Sequence, residues 1–302
     1  MVSAAHGLPD EAYPARETDV LAREVVVGGE RVRLVESGAP EAFPIVLLHG
    51  WGASAYNFRA VLAPLGRAGF HAIAPDLRGH GWSETNFPSG AWSAGAMAEW
   101  VQQLLDTLGV GRCVLVGQSI GGAVAMDAAA LLRDRVGAVV LLAPIGFTTV
   151  RRVLLARGVH WWHPATTPRW IVSVILRRIY GTRGRWTERD LHEYWLPLRR
   201  TDVVRAILQS VREFDFTPRD PESLKLGDCR LVMRFGELDR LIPHRAAVLH
   251  AQRFPGADVA VMHGVGHVPA EEVADEVVGL IARVAFEARS QRPEARGTPT
   301  RL

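Results

Sequence analysis

Apolar and polar residues alternate in blocks along the chain, and the blocks indicate strands and helices in regular succession. Strand-length apolar runs are present in PIVLLHG, FHAIAPD and RCVLVGQ, which is the pattern of strands buried on both faces. Helical spacing follows in AYNFRAVLAPLGRAG, SAGAMAEWVQQLLDTLG and SIGGAVAMDAAALL, with Ser93 as a cap and Gly109 as a stop for the second of these helices. Alternation at short intervals predicts βαβ units around a parallel sheet.

The same pattern divides the chain into parts. Two short β runs flank Gly28-Gly29 in REVVVGGERVRLVESG, which is a hairpin signal. After VGAVVLLAP the alternation stops near Pro144, and it resumes only at CRLVMRFGELD; the residues between indicate helices broken by HPATTP, YGTRG and Pro197. We therefore predict an α/β core at 23–145 and 216–287, a helical cap at 146–215, a mobile arm at 1–22 and a mobile tail at 288–302.

Composition narrows the class of protein. The chain has 302 residues, 48% of them hydrophobic, which is enough for one large domain with a full core. A formal net charge of +3 is too small to indicate a nucleic-acid partner. Cys113 and Cys229 each begin an apolar run, so we expect buried free thiols rather than a disulfide. No signal peptide and no run of about 18 apolar residues is visible, so the expected location is cytoplasmic.

Positive charge is concentrated in the predicted cap. Thirteen arginines and four acidic residues lie between Arg151 and Arg212. One interpretation is a plain lid whose arginines face water. The other is an apolar substrate tunnel with an arginine-rich rim that attracts an anionic group or an anionic membrane surface. On the second interpretation, Trp161, Trp162 and Trp170 are candidates for substrate lining or for interfacial contact.

A serine stands at the junction of a predicted strand and a predicted helix. The sequence Gly117-Gln118-Ser119-Ile120-Gly121 matches the G-x-S-x-G pattern of a nucleophile elbow. Such a turn is so sharp that the serine takes a strained backbone conformation, and side chains at the flanking positions would collide with neighbouring elements. Its hydroxyl then stands at the carboxyl edge of the sheet and at a helix N-terminus. Ser119 is therefore the predicted nucleophile.

A serine hydroxyl needs a base, and the base needs an orienting acid. His267 lies in a glycine-lined loop after the last strand, with His263 as the competing candidate. Asp239 follows the strand of CRLVMRFGELD, and Glu237 in the same loop is the second choice for the acid. His49, His80 and Asp76 lie in earlier loops and more naturally hold those loops in place. The order Ser119, Asp239, His267 is that of α/β-hydrolases.

Five segments together resemble the α/β-hydrolase fold superfamily, in particular carboxylesterase- and lipase-like serine hydrolases with a helical cap inserted after the sixth strand. They are LLHGWGAS, PDLRGHGWS, GQSIGG, GELDRLIP and GVGHVPAEE, and the resemblance covers about residues 22–286. It implies a mostly parallel eight-stranded sheet flanked by helices. It also implies an oxyanion hole formed by the backbone N–H groups of Trp51 and Ile120.

Departures from related families limit the chemistry. A serine nucleophile excludes the aspartate-dependent haloalkane dehalogenases and epoxide hydrolases, and Val268 stands where hydrolases of meta-cleavage products usually carry tryptophan. The main hypothesis is hydrolysis of a small-molecule carboxylic ester with an apolar part. The alternatives are C–C bond hydrolysis of a diketone-like substrate and ligand binding without turnover. No zinc-type spacing of His, Cys and Asp is present, so neither a metal nor another cofactor is expected.

Overall fold

The computed structural model describes residues 12–14, 19–148, 167–227 and 229–291. Eight strands in these ranges form one sheet, in the order β1-β2-β4-β3-β5-β6-β7-β8. Their bounds are β1 Leu21–Val27, β2 Glu30–Ser37, β3 Phe43–Leu48, β4 Phe70–Pro75, β5 Cys113–Gln118, β6 Val136–Leu142, β7 Arg230–Gly236 and β8 Asp258–Met262. β2 is antiparallel to β1 and β4, and the other neighbours are parallel. The predicted α/β class is confirmed.

Helices cover both faces of this sheet. Their bounds are α1 Arg59–Arg67, α2 Ala94–Thr107, α3 Ile120–Leu132, α4 Arg169–Ile179, α5 Glu188–Trp195, α6 Thr201–Glu213, α7 Pro221–Leu224, α8 His244–Ala251, α9 Pro269–Glu272 and α10 Ala274–Ser290. The apolar faces of α2 and α3 contribute to one core cluster, and those of α1 and α10 contribute to the other. β4, β5 and β6 are buried along their whole length, as their continuous apolar runs predict.

Two local features predicted from the sequence, a hairpin turn and a helix cap, are present at the expected residues. Val27 pairs with Glu30 across the two-residue turn of Gly28 and Gly29, and both glycines have positive φ, which such a hairpin turn requires. The Ser93 side chain accepts a hydrogen bond from the N–H of Ala96 at the start of α2. The hairpin and the helix cap are both confirmed.

Three helices of the predicted cap, α4, α5 and α6, lie in the chain between β6 and β7. Leu176 and Ile179 of α4 pack with Leu191 of α5 in a small apolar cluster that also includes Val268 of the core. Since Val268 follows His267, this cluster joins the cap to the loop of the predicted base. Trp161 and Trp162 lie outside the described residues.

The structure differs from the sequence prediction at several boundaries. The predicted last helix is divided at Val273, whose φ of −139° is not helical, and its second part continues to Ser290. In the predicted arm, Tyr13 is buried and its ring meets that of Tyr56 edge-on.

Cys113 is buried and Cys229 is half-buried, and both are free thiols. Among the helices in the described ranges, none has the length and apolarity needed to cross a bilayer.

Candidate active site

Ser119 occupies the turn between β5 and α3 with φ 56° and ψ −119°, a backbone conformation that non-glycine residues rarely adopt. The neighbouring glycines make this turn possible. A Cβ atom on Gly117 would lie 2.3 Å from the carbonyl oxygen of Gly121, and one on Gly121 would lie 2.1 Å from that of Leu48. Side chains at both positions would therefore collide with the helix or the adjacent strand. The strained turn expected of a nucleophile elbow is present at Ser119.

His267 lies against the serine hydroxyl. Its Nε2 atom is 2.9 Å from Ser119 Oγ, and its Nδ1 atom is 2.7 Å from Asp239 Oδ2. An ionised carboxylate only accepts hydrogen bonds, so the Nδ1 proton points to Asp239 and Nε2 presents its lone pair to the hydroxyl. All three side chains are largely buried. The structure thus brings together the three residues that the sequence proposes as nucleophile, acid and base.

The loop after β7 holds the carboxylate of Asp239 in one orientation. Its Oδ1 atom accepts the backbone N–H groups of Leu241 at 2.8 Å and Ile242 at 2.9 Å. These two bonds leave Oδ2 for the imidazole. Because the loop satisfies one carboxylate oxygen completely, the position of the acid does not depend on the histidine alone.

The competing acid and base lie together away from Ser119. Glu237 accepts the N–H of Gly264 at 2.9 Å, and its carboxylate lies 3.5 Å from His263, whose side chain is 87% exposed. The N–H of Gly264 and the hydrogen bond from His263 lower the pKa of Glu237. This pair forms a surface interaction within the loops after β7 and β8.

The other sequence candidates hold loops, as expected. The Nε2 atom of His49 accepts the N–H of Leu77 at 2.9 Å, which ties the loop after β3 to the loop after β4. Burial lowers the pKa of His49 to about 4 and that of His80 to about 3, so both are neutral near pH 7. Asp76 accepts the N–H of Ala55 at 2.7 Å and belongs to the same loop network.

The positions expected to supply the oxyanion hole lie next to Ser119. Ile120 is the first residue of α3, so its N–H has no intrahelical acceptor. On the other side, a Cβ on Gly50 would lie 3.3 Å from Ser119 Cβ, which places the chain leading to Trp51 close to the nucleophile. The Trp51 indole N–H donates to the carbonyl of Ile207 in α6 at 3.1 Å and so links this loop to the cap.

Trp170 is placed on the outer surface of the cap. It is the second residue of α4, and 65% of its surface is exposed. Of the two roles that the sequence suggests for this tryptophan, that exposure favours interfacial contact over an enclosed substrate lining. Its neighbours Val174 and Ile175 on α4 are also exposed and were not predicted from the sequence.

Two glutamates that follow His267, Glu271 and Glu272, are not among the site residues predicted from the sequence. The Glu271 side chain is buried, and its carboxylate accepts hydrogen bonds from Asn57, Arg59 and Tyr180, each within 2.7 Å, and from the hydroxyl of Tyr194. Tyr180 and Tyr194 belong to the cap, whereas Asn57 and Arg59 belong to the core. The only sequence signal was the pair of acids in GHVPAEE, whose partners lie far away along the chain. Within the described ranges, no cluster of three His, Cys, Asp or Glu residues could hold a metal ion.

A mostly parallel sheet with a strained serine at its carboxyl edge, and an imidazole against the serine hydroxyl, defines the class of α/β-hydrolases. The sequence profile of the alpha/beta hydrolase family matches residues 45–280, so the chain belongs to this family.

Among known proteins, "Epoxide hydrolase A" of Mycobacterium tuberculosis (strain ATCC 25618 / H37Rv) is 38% identical over 121 residues, which span 40% of this chain and 38% of that protein. "2-hydroxymuconate semialdehyde hydrolase" of Pseudomonas putida is 27% identical over 90% of this chain and 97% of its own length. The crystal structure of a membrane phospholipase A, a bacterial virulence factor, superposes with a TM-score of 0.76 and 22% identity over 90% of this chain and 88% of that one. The names of these proteins describe different hydrolases, so hydrolase activity is what they have in common.

Proposed function

We propose that the protein is a serine hydrolase that cleaves a carboxylic ester with an apolar acyl or alcohol part. The observation that carries this proposal is the continuous hydrogen-bonded chain from Asp239 through His267 to Ser119, with distances of 2.7 and 2.9 Å. Both distances lie within the range for a base acting on its nucleophile and for an acid orienting its base. The serine is the residue that separates this chemistry from that of the aspartate-dependent hydrolase families.

The geometry supports a two-stage reaction. Ser119 Oγ attacks the ester carbonyl carbon while its proton passes to His267 Nε2, and Asp239 stabilises the resulting imidazolium. The tetrahedral intermediate collapses, and the alcohol leaves with the proton from Nε2, so the acyl group stays on Ser119. Water, deprotonated by the same nitrogen, then attacks the acyl carbon, releases the carboxylic acid and returns the proton to Ser119.

Negative charge on the carbonyl oxygen requires donors during both stages. The backbone N–H groups of Ile120 and Trp51 are the proposed donors, since Ile120 begins α3 and Gly50 brings the loop before Trp51 against Ser119. The positive end of α3 adds to the stabilisation of an anion at this point. Loss of a single oxyanion donor typically costs about 10²–10³-fold in kcat.

Half-buried Trp51, in the loop beside the nucleophile, supports an apolar substrate. It packs on the core with part of its surface and leaves the rest exposed. Each CH₂ group buried from water contributes about 0.8 kcal/mol, or about fourfold in affinity. We therefore expect kcat/KM to rise from acetate to about hexanoate esters and then to level off.

A panel of p-nitrophenyl esters of graded acyl length, assayed with the parent protein and with Ser119→Ala, tests the proposal. The parent should hydrolyse the esters, and the variant should lose at least about a thousandfold in kcat, because a triad acts as a unit. Circular dichroism should show that the variant keeps its fold. Equal rates for parent and variant would refute the mechanism.

Two other functions fit the fold. The similarity to 2-hydroxymuconate semialdehyde hydrolase extends over 90% of this chain, which favours C–C bond hydrolysis as the second candidate. Val268 in place of the usual tryptophan after the base argues against it. Turnover of a diketone meta-cleavage product with no turnover of the ester panel would favour C–C hydrolysis. Binding of such ligands without turnover of either class would favour a binding protein.

The outer face of α4 supports a second proposal, peripheral contact with anionic membranes. Trp170, Val174 and Ile175 are exposed there, with exposures of 65%, 51% and 42%, and Arg177 and Arg178 of the same helix are exposed beside them. Apolar side chains flanked by arginines are suited to the interface of a bilayer that carries anionic lipids.

Co-sedimentation with phosphatidylglycerol-containing vesicles, and with phosphatidylcholine vesicles alone, tests this contact. Binding should require the anionic lipid, weaken at high salt and fall in Trp170→Ser. Leu249→Ser is a matched control, because Leu249 is 71% exposed on α8, outside the cap. Equal binding of the two variants, or binding that is independent of lipid charge, would rule out the proposed surface.

A further inference from the structure

A short segment of the cap runs alongside the loop that carries His267. We call residues 179–183 the strap and residues 263–268 the histidine loop. The backbone N–H of His267 donates to the carbonyl of Ile179 at 2.6 Å, and the N–H of Thr182 donates to the carbonyl of Gly264 at 2.8 Å. The main chain of the base is thus hydrogen-bonded directly to the last residue of α4.

Two facing glycines allow this close approach. A Cβ on Gly181 would lie 2.6 Å from the nitrogen of Gly266, and a Cβ on Gly266 would lie 2.3 Å from the carbonyl oxygen of Ile179. On its other side, Gly266 is in contact with β7, since a Cβ on Gly236 would lie 1.9 Å from the Gly266 carbonyl oxygen. The histidine loop is therefore enclosed between the sheet and the cap.

Glu272 joins the strap to the histidine loop through one carboxylate. Its Oε1 atom accepts the N–H of Gly266 at 2.8 Å, and its Oε2 atom accepts the N–H of Gly181 at 2.7 Å. The residue is 7% exposed, so water does not readily replace either bond. A carboxylate is the side chain that can accept from two backbone donors in this arrangement. One of those donors belongs to the residue immediately before His267.

We propose that Glu272 is a positioning residue for His267, acting through the histidine loop and the strap. The inference rests on the proposed function, in which His267 Nε2 must lie within hydrogen-bond reach of Ser119 Oγ. The carboxylate fixes the peptide before His267, and the strap carbonyl of Ile179 fixes the N–H of His267 itself. A displacement of about 1 Å at a reacting group costs about 10²-fold in rate, so small losses of order in this loop affect turnover.

Glu272→Gln is the variant that tests this role with the least change in shape. One carboxylate oxygen becomes an amide nitrogen, which donates and cannot accept, so either Gly266 or Gly181 loses its acceptor. We expect kcat for a p-nitrophenyl ester to fall about 10- to 100-fold, with KM changed by less than about threefold. Rates are expressed per site titrated with a fluorophosphonate, so that loss of folded protein does not count as loss of kcat.

Glu276→Gln provides a matched control. Glu276 lies 2.6 Å from Arg183 at the end of the same strap, so it also links the cap to the core, but its side chain is 52% exposed and it is not bonded to the histidine loop. We expect parental kcat and KM from this variant. Equal losses of kcat in the two variants would overturn the proposal, because removal of any acidic link to the strap would then have the same effect.

Amide hydrogen exchange tests the same proposal without any substrate. In Glu272→Gln, peptides that contain Gly266 and His267 should exchange faster than in the parent, whereas in Glu276→Gln they should exchange at the parental rate. If the parent hydrolyses no ester, the proposed function fails while the exchange result still decides whether Glu272 fixes the loop. Unchanged exchange in Glu272→Gln, or a parental kcat per titrated site, would refute the positioning role.

Discussion

Replacement of Asp239 by asparagine changes one atom of the proposed triad and tests its proton arrangement. In the parent, Oδ1 accepts two backbone N–H groups at 2.8 and 2.9 Å, and Oδ2 faces His267 Nδ1 at 2.7 Å. The side-chain oxygen of the asparagine must take the position of Oδ1, which accepts the N–H groups of Leu241 and Ile242. An amide nitrogen at that position would set its own N–H groups against these two donors. The loop therefore turns the asparagine NH₂ group toward the imidazole.

The size of the expected loss in kcat follows from the tautomer of His267 that this orientation imposes. An NH₂ group facing Nδ1 requires Nδ1 to be the acceptor, which moves the single proton of a neutral imidazole to Nε2. Nε2 then donates toward Ser119 Oγ and cannot take its proton. For the equivalent substitution in a well-studied serine protease the loss is about 10⁴-fold in kcat, or about 5 kcal/mol of transition-state stabilisation. We expect a loss of this size for Asp239→Asn.

The assay is the pre-steady-state and steady-state hydrolysis of a p-nitrophenyl ester, with thermal unfolding measured alongside. Asp239→Asn should keep KM within about threefold and should unfold at nearly the parental temperature, because it is isosteric. Glu237→Gln is the control, since Glu237 pairs with exposed His263 and not with His267. A Glu237→Gln variant that loses more kcat than Asp239→Asn would show that the acid is misassigned.

Three further predictions concern stability. Burial lowers the pKa of His49 to about 4. The contribution of neutral His49 to the free energy of unfolding is therefore complete above its ordinary pKa of 6.5 and is lost as the pH falls from about 6.5 to about 4. The whole loss for this histidine is about 3 kcal/mol. Urea unfolding at pH 7 and pH 5 should show about 2 kcal/mol of this decrease, because pH 5 lies about 1.5 pH units below the ordinary pKa. A His49→Asn variant should show a smaller decrease, and an equal one would contradict the assignment. Gly279→Ala should raise the free energy of unfolding by about 1 kcal/mol, because Gly279 lies inside α10 and a Cβ there meets nothing within 4 Å. Gly121→Ala in α3 should instead be destabilising, because its Cβ would lie 2.1 Å from the Leu48 carbonyl, and thermal melts that give both substitutions the same sign would contradict this reasoning.

The grouping of the three candidate residues from the sequence rests on one physical constraint. In a parallel sheet the carboxyl ends of the strands meet at one edge, so residues that follow β5, β7 and β8 are brought together whatever their separation in the chain. This is why Ser119, Asp239 and His267 could be proposed as a group. The choice of Asp239 over Glu237 also follows from the local sequence, because a residue directly at the end of β7 leaves too little loop to turn toward the base.

Features of the site that depend on the cap could not be predicted from the sequence in the same way. Glu271 and Glu272 look like ordinary acids near the start of a helix, and their roles arise only because Tyr180, Gly181 and Tyr194 of the cap come to lie against them. No periodicity in the cap specifies that approach. The division of the last helix lies next to one of these glutamates: Val273, where it falls, directly follows Glu272.

The three proposed triad residues are held in place by different contacts. Their positions therefore depend on the cap to different degrees. Ser119 is fixed by a strained turn between two glycines, and Asp239 is fixed by two N–H groups of its own loop. Neither arrangement includes a cap residue. His267 alone has its main chain bonded to the cap, at Ile179. Movement of the strap away from the core would therefore withdraw the base while leaving the nucleophile and the acid in place. In the proposed mechanism, proton transfer therefore depends on the contact between the strap and the histidine loop, and we expect substitutions in the strap to lower kcat before they affect the fold.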